Sequence, residues 1–269
     1  MNTASPQRGS LLRYRADRWS VAYVLHCFAI HVALFLFASP LVCALAIVPL
    51  VVLCTSVAAL NHHHQHLGVF QSGLLNRLYD LVLGLQTGIG PYTWALHHNV
   101  GHHLNYLHQP PHASPDESHW TRKDGSQMGR LEYSFHLFFH HQFDVWQVGK
   151  KHKRLFRAYL LMKIPLYAIV AAGLWFNATN WILVFLIPGL ATLLHTCWAT
   201  YEHHAGHHSD SHFSASVNRE NWLFNVMSWN LGYHTAHHYR PGVHWSLLPE
   251  LHREIEDKIP ATQRLHTFW

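Results

Sequence analysis

The sequence predicts an all-α integral membrane protein with four transmembrane helices in two hairpins and a helical cap on the cytoplasmic side. Three observations lead to this fold class: four apolar runs of spanning length, few charged residues, and Lys and Arg collected beside the apolar runs. Charged residues make up 12% of the chain and hydrophobic residues 49%, whereas a soluble domain carries roughly 25% charged residues. We expect a single membrane domain over residues 1–269.

The first two apolar runs, at about residues 19–38 and 41–60, predict a helical hairpin. A run of about 20 residues is long enough to cross a ~30 Å hydrocarbon core as a helix. The Ser39-Pro40 connection leaves room only for a tight turn. A cleaved signal peptide is the other interpretation of the first run, but its length and the second run directly after it argue against that.

The second hairpin is predicted from apolar runs at about residues 155–176 and 181–200. The stretch 69–96 contains four Gly and one Pro, and it predicts an interfacial or re-entrant segment instead of a span. The two short turns carry no Lys or Arg, whereas the N-terminus, residues 104–154 and the C-terminal region carry nearly all of them. Both termini and the cap, residues 61–154 and 201–269, are therefore expected on the cytoplasmic side.

Histidine dominates the polar composition, with 29 His against 14 Asp and Glu. The His residues form short clusters far apart in sequence, unlike an affinity tag or a low-complexity tract. The four cysteines form no C-x-x-C pair and lie in apolar stretches, so neither a disulfide framework nor a Cys-type zinc site is expected. The basic residues flank apolar runs instead of clustering with exposed aromatics, which argues against nucleic-acid binding.

The His clusters have the spacing of metal ligands on helices. HHHQH at 62–66, HNVGHH at 98–103 and HTAHH at 234–238 contain pairs at i,i+3 or i,i+4, which share a helix face. A fourth cluster, EHHAGHH, occupies residues 202–208. A site made of imidazoles suits Zn, Cu, Fe or Ni and excludes Mg and Ca. One tetrahedral zinc needs only three or four ligands, so this many His predict two metal ions.

The three ordered clusters resemble the histidine boxes of the membrane fatty acid desaturase and hydroxylase superfamily, which are HxxxH, HxxxHH (or HxxHH) and HxxHH. The resemblance covers about residues 20–250. The stretch NLGYHTAHHYRPGVHWSLLP at 230–249 looks like the third-box region of bacterial fatty acid desaturases, and the second box also looks like that of membrane alkane hydroxylases. The resemblance implies a non-haem di-iron site, with two Fe ions held by His in the cytoplasmic cap.

The resemblance also implies nine ligands and no catalytic residue beyond them. One ligand is expected at the end of the fourth span, where Tyr201-Glu202-His203-His204 has a YxxH-like pattern that favours His204 over His203. His207 and His208 exceed the pattern, and their role stays open. The expected metal ligands are His62, His66, His98, His102, His103, His204, His234, His237 and His238.

Polar and aromatic residues beside the boxes are candidates for supporting roles. Ligating imidazoles usually hydrogen-bond to a second group that fixes their orientation, and Glu202, Asn61, Asn99 and Asn230 are candidates for this, with helix capping as the alternative. Three tryptophans are candidates for lining a substrate tunnel or for anchoring at the membrane interface: Trp94, Trp229 and Trp245.

The implied activity is O2-dependent desaturation of a fatty acyl chain in a lipid or thioester. Loss of two hydrogens from adjacent methylenes gives a double bond, whereas oxygen transfer gives an alcohol. Because the same ligands serve both outcomes, a lipid or alkane hydroxylase is the alternative. A separate electron donor of ferredoxin or cytochrome b5 type is expected, and the bacterial inner membrane is favoured over the endoplasmic reticulum. A His-rich metal transporter would place its ligands near the bilayer midplane, whereas these clusters lie at helix ends.

Overall fold

The structure is a computed structural model that describes residues 10–108, 120–207 and 209–268, and the described chain is mostly helical. Two π-helical segments, Ala95–His102 and Ile182–Leu186, and three short 3-10 turns complete the α-helices and strands. The helices and strands are α1 Asp17–Phe37, α2 Pro40–His66, α3 Gly73–Thr87, α4 Arg130–Lys151, α5 Lys153–Trp181, α6 Ile187–His204, β1 Asn218–Arg219, α7 Trp222–Met227, α8 His234–Tyr239, α9 Leu248–Ile255 and β2 Arg264–Leu265.

Three helical segments are long and apolar enough to cross a membrane: α1, α2 and the continuous stretch Lys153–His204. Asn177 has non-helical dihedral angles, φ −156° and ψ 87°, and divides the third segment into two parts. Each part has more than 20 residues, which at about 1.5 Å per residue is enough to cross a ~30 Å core. The chain is therefore a helical membrane protein, and the crossing by all four helices stays a prediction.

The chain forms two compact units, one of residues 1–94 and 153–195 and the other of residues 95–152 and 196–269. In the first unit, α2 begins with Pro40 after Ser39, whose Oγ accepts a hydrogen bond from Val42 N at 3.4 Å. The Asn180 side-chain amide donates to the backbone oxygens of Phe35 and Ala38, at 3.2 and 3.0 Å. This amide joins the two predicted hairpin turns at one end of the unit.

The C-terminal end of α3 fixes the backbone that leads to the second histidine box. Gly88 ends α3 in the left-handed conformation, with φ +70°, and a Cβ there would lie 2.7 Å from the carbonyl oxygen of Gly189. Only glycine combines this dihedral angle with so close a backbone approach. The position where the chain leaves α3 is therefore set by backbone contact with α6.

The second unit is held by a C-terminal core and a small parallel strand pair. Asn218 of β1 pairs with Arg264 of β2, and Arg219 pairs with Leu265. Ala236 of α8 packs in an apolar cluster with residues of α9 and the segment after it, namely Leu248, Leu251, Ile255 and Ile259. This packing positions α8, which carries the third histidine box.

Helix α4 was not predicted from the sequence, which indicated a polar connection over residues 104–154. The apolar residues of α4 recur about every fourth position instead of forming a continuous run. The segment is therefore polar on average and does not look like a membrane span. The exposed large apolar side chains on α4 are Leu131, Phe135, Phe139, Phe143 and Trp146. The prolines Pro110, Pro111 and Pro115 of the same connection lie outside the described residues.

Replacing Gly173 by Ala is expected to destabilise the α5–α6 region. A Cβ on Gly173 would overlap the indole ring of Trp181, which is buried and has no space to retreat. Overpacking of this kind costs about 1–3 kcal/mol. The measurement is the thermal unfolding midpoint of detergent-solubilised protein. Gly73→Ala is the matched control, because a Cβ there meets no atom within 4 Å, and equal midpoints for both variants would contradict the argument.

Candidate metal centre

The third histidine box lies on the short helix α8, which is held by polar contacts on the side facing away from its imidazoles. Asn218 Oδ1 accepts from the backbone N of Thr235 at 2.9 Å, and Asn218 Nδ2 donates to Thr235 Oγ1 at 2.7 Å. Trp229 and Asn230, just before the helix, have φ values of 54° and 67°. A left-handed conformation at a Trp is unusual and strained, so the surrounding packing determines how the chain enters α8.

Four buried imidazoles point their Nε2 atoms at one another. The Nε2 atom of His204 lies 3.1 Å from that of His102, 3.1 Å from that of His234 and 3.1 Å from that of His238. The Nε2 atoms of His234 and His238 are 3.0 Å apart. Nitrogen ligands bonded to one metal ion at about 2.1 Å lie about 3.0–3.4 Å apart. These separations are those of ligands around one ion, and the ligand atoms of His102, His204 and His238 all lie within 4.8 Å of one another.

The tautomer of His204 shows that these contacts cannot all be hydrogen bonds. Its Nδ1 lies 2.9 Å from the carbonyl oxygen of Ala215. A carbonyl only accepts, so Nδ1 carries the proton of the neutral ring and Nε2 presents a lone pair. That lone pair faces three other imidazole nitrogens. A cation bound between the nitrogens would make these close contacts favourable. The donor set therefore fits a transition metal of the Zn, Cu, Fe or Ni group.

A second group of imidazoles adjoins the first within the same unit. The Nε2 atom of His103 lies 2.9 Å from that of His98 and 3.0 Å from that of His237. The rings of His98 and His237 are parallel within 4°, with centroids 5.9 Å apart. The ring of His103 also stacks on His238 at 4.2 Å. The second and third boxes thus contribute to both groups.

The π-helical backbone of the second box explains how His98 and His103 meet. The backbone N of His103 donates to the carbonyl oxygen of His98 at 2.8 Å, which is an i to i+5 bond. An α-helix would place residues four apart on one face, and π-type turns are frequent at functional sites. The wider turn brings His103 over His98. The sequence showed the histidines of this box but not the backbone conformation that pairs them.

The first box ends α2 in the other unit. His62 and His66 are one turn apart, with ring centroids at 5.1 Å, and His62 is buried. The indole N–H of Trp94 points at Nδ1 of His62 over 3.3 Å. An indole only donates, so Nδ1 of His62 accepts, the opposite of Nδ1 in His204. Ligation through Nε2 of His62 requires this indole contact to be released. Trp94 is therefore buried against a box residue, and its role in lining a substrate tunnel stays a prediction.

A buried ion-pair network holds the same end of α2. His64 Nδ1 accepts from the backbone N of Val69 at 3.2 Å, so its Nε2 carries a proton toward Asp80 Oδ1 at 3.3 Å. Gln65 Nε2 donates to the same oxygen at 2.7 Å, and Arg77 lies 2.7 Å from Oδ2. Asp80 is only 1% exposed, and a buried carboxylate is stable only when it is paired. His64 and Gln65, which lie between His62 and His66, are thus fixed by contacts with Asp80 of α3.

Burial keeps the imidazoles of the second unit neutral. It lowers the pKa of His102 to about 3 and that of neighbouring His97 to about 3. Burial, together with the nearby imidazoles, also lowers the pKa of His238 well below its usual value. Neutral imidazole is the form that binds metal, so binding does not first require removal of a proton.

Two aromatic residues cover the four converging imidazoles. The ring of Trp120 stacks on that of His204, with centroids 5.0 Å apart and planes at 16°. The ring of Tyr106 lies 4.2 Å from that of His238. Both residues are 2% exposed. Neither was singled out from the sequence, where single aromatics carry no signal of contact with residues far along the chain.

The predicted supporting role is wrong for Glu202, Asn61 and Asn230. Glu202 forms ion pairs with Arg130 and Arg219. The Asn61 side chain bonds to Thr87 and to the backbone oxygen of Ile89, and that of Asn230 to the backbone oxygen of Trp245. The acceptor that orients His204 is a backbone carbonyl instead, which residue identity does not reveal. The supporting role of Asn99 stays a prediction.

The remaining histidines of the fourth cluster lie beside the group. The ring of His203 stacks on that of His234 at 3.9 Å, with planes at 12°. The Nδ1 of His207 accepts a hydrogen bond from the side-chain amide of Gln263 at 2.7 Å. His208 lies outside the described residues.

Membrane-length helices together with buried, converging imidazoles define a histidine-ligated membrane metalloprotein. The family model described as fatty acid desaturase matches residues 36–269, and the chain belongs to that family. Searches of curated proteins and of solved structures found no match. Family membership makes the chain an iron-dependent oxidoreductase of desaturase or hydroxylase type, which acts on lipid with O2 in a membrane.

The variant His204→Ala is expected to bind less iron than the wild type, and about half as much if two ions are present, because the nitrogen that faces three other imidazoles is gone while the group around His103 remains. The measurement is iron per chain by elemental analysis of purified protein, with a melting curve to verify folding. His136→Ala is the control, because His136 is exposed on α4. Wild-type iron content in a folded His204→Ala protein would refute the prediction that His204 binds metal.

The variant Asp80→Asn is expected to destabilise the first unit. Arg77 and His64 lose a charged partner, and hydrogen bonds to charged groups contribute about 1.5–3 kcal/mol each. A lower unfolding midpoint and weaker iron retention against a chelator are the expected results. Asp257→Asn is the control, since Asp257 is exposed. An unchanged midpoint for Asp80→Asn would show that the network does not stabilise the end of α2.

Proposed function

We propose that the chain is an O2-dependent fatty acid desaturase that introduces a double bond into an acyl chain of a lipid or thioester. The observation that carries the proposal is the convergence of the Nε2 atoms of His102, His204, His234 and His238 at 3.0–3.1 Å. The family match supplies the reaction class.

We assign the nine predicted ligands to two Fe ions. One ion takes His204 and the three residues whose Nε2 atoms face it, His102, His234 and His238. The other takes His98, His103 and His237, with His62 and His66 of the first box. The assignment is supported by the contacts of His103 with His98 and His237, and by the ring contact between His62 and His66 on one helix face.

Iron held by these residues would supply the activation of O2 and the removal of hydrogen from an acyl methylene. The chain's own residues provide the environment for that chemistry. The Ala215 carbonyl fixes the tautomer of His204, so its Nε2 lone pair points inward. Trp120 and Tyr106 cover the imidazoles and exclude water from them. Exclusion of water protects a reactive site from side reactions.

Desaturation is favoured over hydroxylation by two observations. The matching family model carries the description fatty acid desaturase. The third-box stretch at 230–249 resembles that of bacterial fatty acid desaturases, which also supports a location in the bacterial inner membrane. The charge pattern supports an active site and both termini on the cytoplasmic side. A separate carrier of ferredoxin or cytochrome b5 type then supplies the electrons.

Lipid analysis by mass spectrometry tests the reaction. Cells expressing the wild type are expected to accumulate acyl chains two mass units lighter, and cells expressing His237→Ala are not. His136→Ala, altered on an exposed face of α4, is expected to behave like the wild type. Chains heavier by one oxygen in the wild type would make the protein a hydroxylase with the same metal site. If neither the lighter nor the oxygenated chain appears in a host that supplies both types of carrier, the proposed reaction is refuted.

A further inference from the structure

A buried tyrosine connects the converging imidazoles with the protein surface. The hydroxyl of Tyr106 lies 2.5 Å from Nδ1 of His212. Tyr106 is 2% exposed, whereas His212 is exposed. On its other side, the ring of Tyr106 contacts that of His238 at 4.2 Å and those of His102 and His204 at 5.6 Å each. A single residue therefore separates a surface imidazole from three proposed metal ligands.

The surface around His212 carries aromatic rings and cations. Tyr239 lies 6.4 Å from the His212 ring and 5.2 Å from Phe213. Arg240 lies over the Tyr239 ring at 5.3 Å, and Lys258 over the Phe213 ring at 5.2 Å. Among the described residues, neither cation has a carboxylate within 4.0 Å. We call His212, Phe213, Tyr239, Arg240 and Lys258 the His212 patch.

The two cations of the patch lack the ion pairs that several arginines of the same unit form. Arg122, Arg130 and Arg264 each lie against at least one glutamate. The charges of Arg240 and Lys258 are uncompensated and stand beside partly buried rings. Protein interfaces are enriched in aromatic residues and Arg, and complementary charges accelerate association with a partner of opposite sign. The patch thus has the chemistry of a docking surface for an acidic protein.

We propose that the His212 patch docks an acidic one-electron carrier protein and that its electrons reach the metal centre through Tyr106. The inference rests on the proposed function, which requires an external donor. In each step the reduced carrier loses one electron and a ferric ion gains it, while Tyr106 undergoes no net change. The hydrogen bond from the Tyr106 hydroxyl to His212 and the ring contact with His238 form a continuous connection from this surface to the proposed ligands.

Rapid mixing of the ferric enzyme with reduced carrier under anaerobic conditions tests the proposal. The probes are an acidic [2Fe–2S] ferredoxin and cytochrome b5, and loss of the ferric absorbance reports iron reduction without any lipid substrate. Each rate is divided by the rate with dithionite, a small reductant that needs no docking surface. The double variant Arg240→Glu/Lys258→Glu is expected to lower this ratio by roughly tenfold at low salt, and less at high salt.

The relay residues are tested in the same assay. Tyr106→Phe keeps the ring against His238 but removes the hydroxyl, and His212→Ala removes its partner. Both are expected to lower the ratio of carrier-driven to dithionite-driven reduction at saturating carrier, whereas the charge reversal acts mainly at low carrier concentration. Lys123→Glu is the matched control, because Lys123 is exposed in the turn of residues 121–127, outside the patch.

The possible outcomes separate this inference from the proposed function. An unchanged ratio in the charge reversal, an equal fall in Lys123→Glu, or failure of both carriers to reduce wild-type iron overturns the docking surface. Loss of binding to anionic phosphatidylglycerol vesicles in the double variant, with normal carrier-driven reduction, makes the patch a lipid contact instead. If carrier-driven reduction responds as expected but dithionite-reduced enzyme forms no alkene with O2 and acyl substrate, the proposed function fails and the docking surface stands.

Discussion

The hydrogen bond between Nδ1 of His204 and the carbonyl oxygen of Ala215 is the interaction on which the metal centre depends. It places the ring proton on one side of the imidazole and a lone pair on the other. The Nε2 atoms of three further histidines lie 3.1 Å from Nε2 of His204, an arrangement that a shared cation would stabilise. Other features position the same imidazoles. The left-handed backbone at Trp229 leads into α8, and Trp120 stacks on the ring of His204.

The histidine spacing predicts which helices carry imidazoles but not how the imidazoles meet. Pairs at i,i+4 correctly indicate shared faces, as for His98 and His102, whose rings stack at 5.1 Å. The contact between His98 and His103 depends on a π-helical turn, which no residue in HNVGHH encodes visibly. Similarly, the orienting acceptor of His204 is a backbone carbonyl eleven residues later. Such features arise from tertiary packing, and a one-dimensional pattern does not contain them.

The apolar runs predict the membrane helices well because burial in lipid requires long uninterrupted apolar segments. Helix α4 has no uninterrupted apolar run and was therefore not predicted, since its apolar side chains alternate with histidines and other polar residues. The break between the third and fourth apolar runs was expected at residues 177–180, and the non-helical angles at Asn177 agree with it. Periodicity over a single face leaves a weak compositional trace, so amphipathic helices of this kind are predicted less reliably than spans.

The distribution of carboxylates gives the metal centre its electrostatic character. Glu202 directly precedes His203 and His204, yet both of its oxygens are taken by Arg130 and Arg219. Asp80, near the first box, is likewise occupied by Arg77, Gln65 and His64. Among the described residues, the converging donors are neutral imidazoles, so iron bound by them would not have its charge compensated by a carboxylate. Because each further positive charge on a buried ion is costly, we expect such a site to favour the ferrous over the ferric state. A high reduction potential would suit the proposed function, in which a protein carrier reduces the iron one electron at a time before O2 is used.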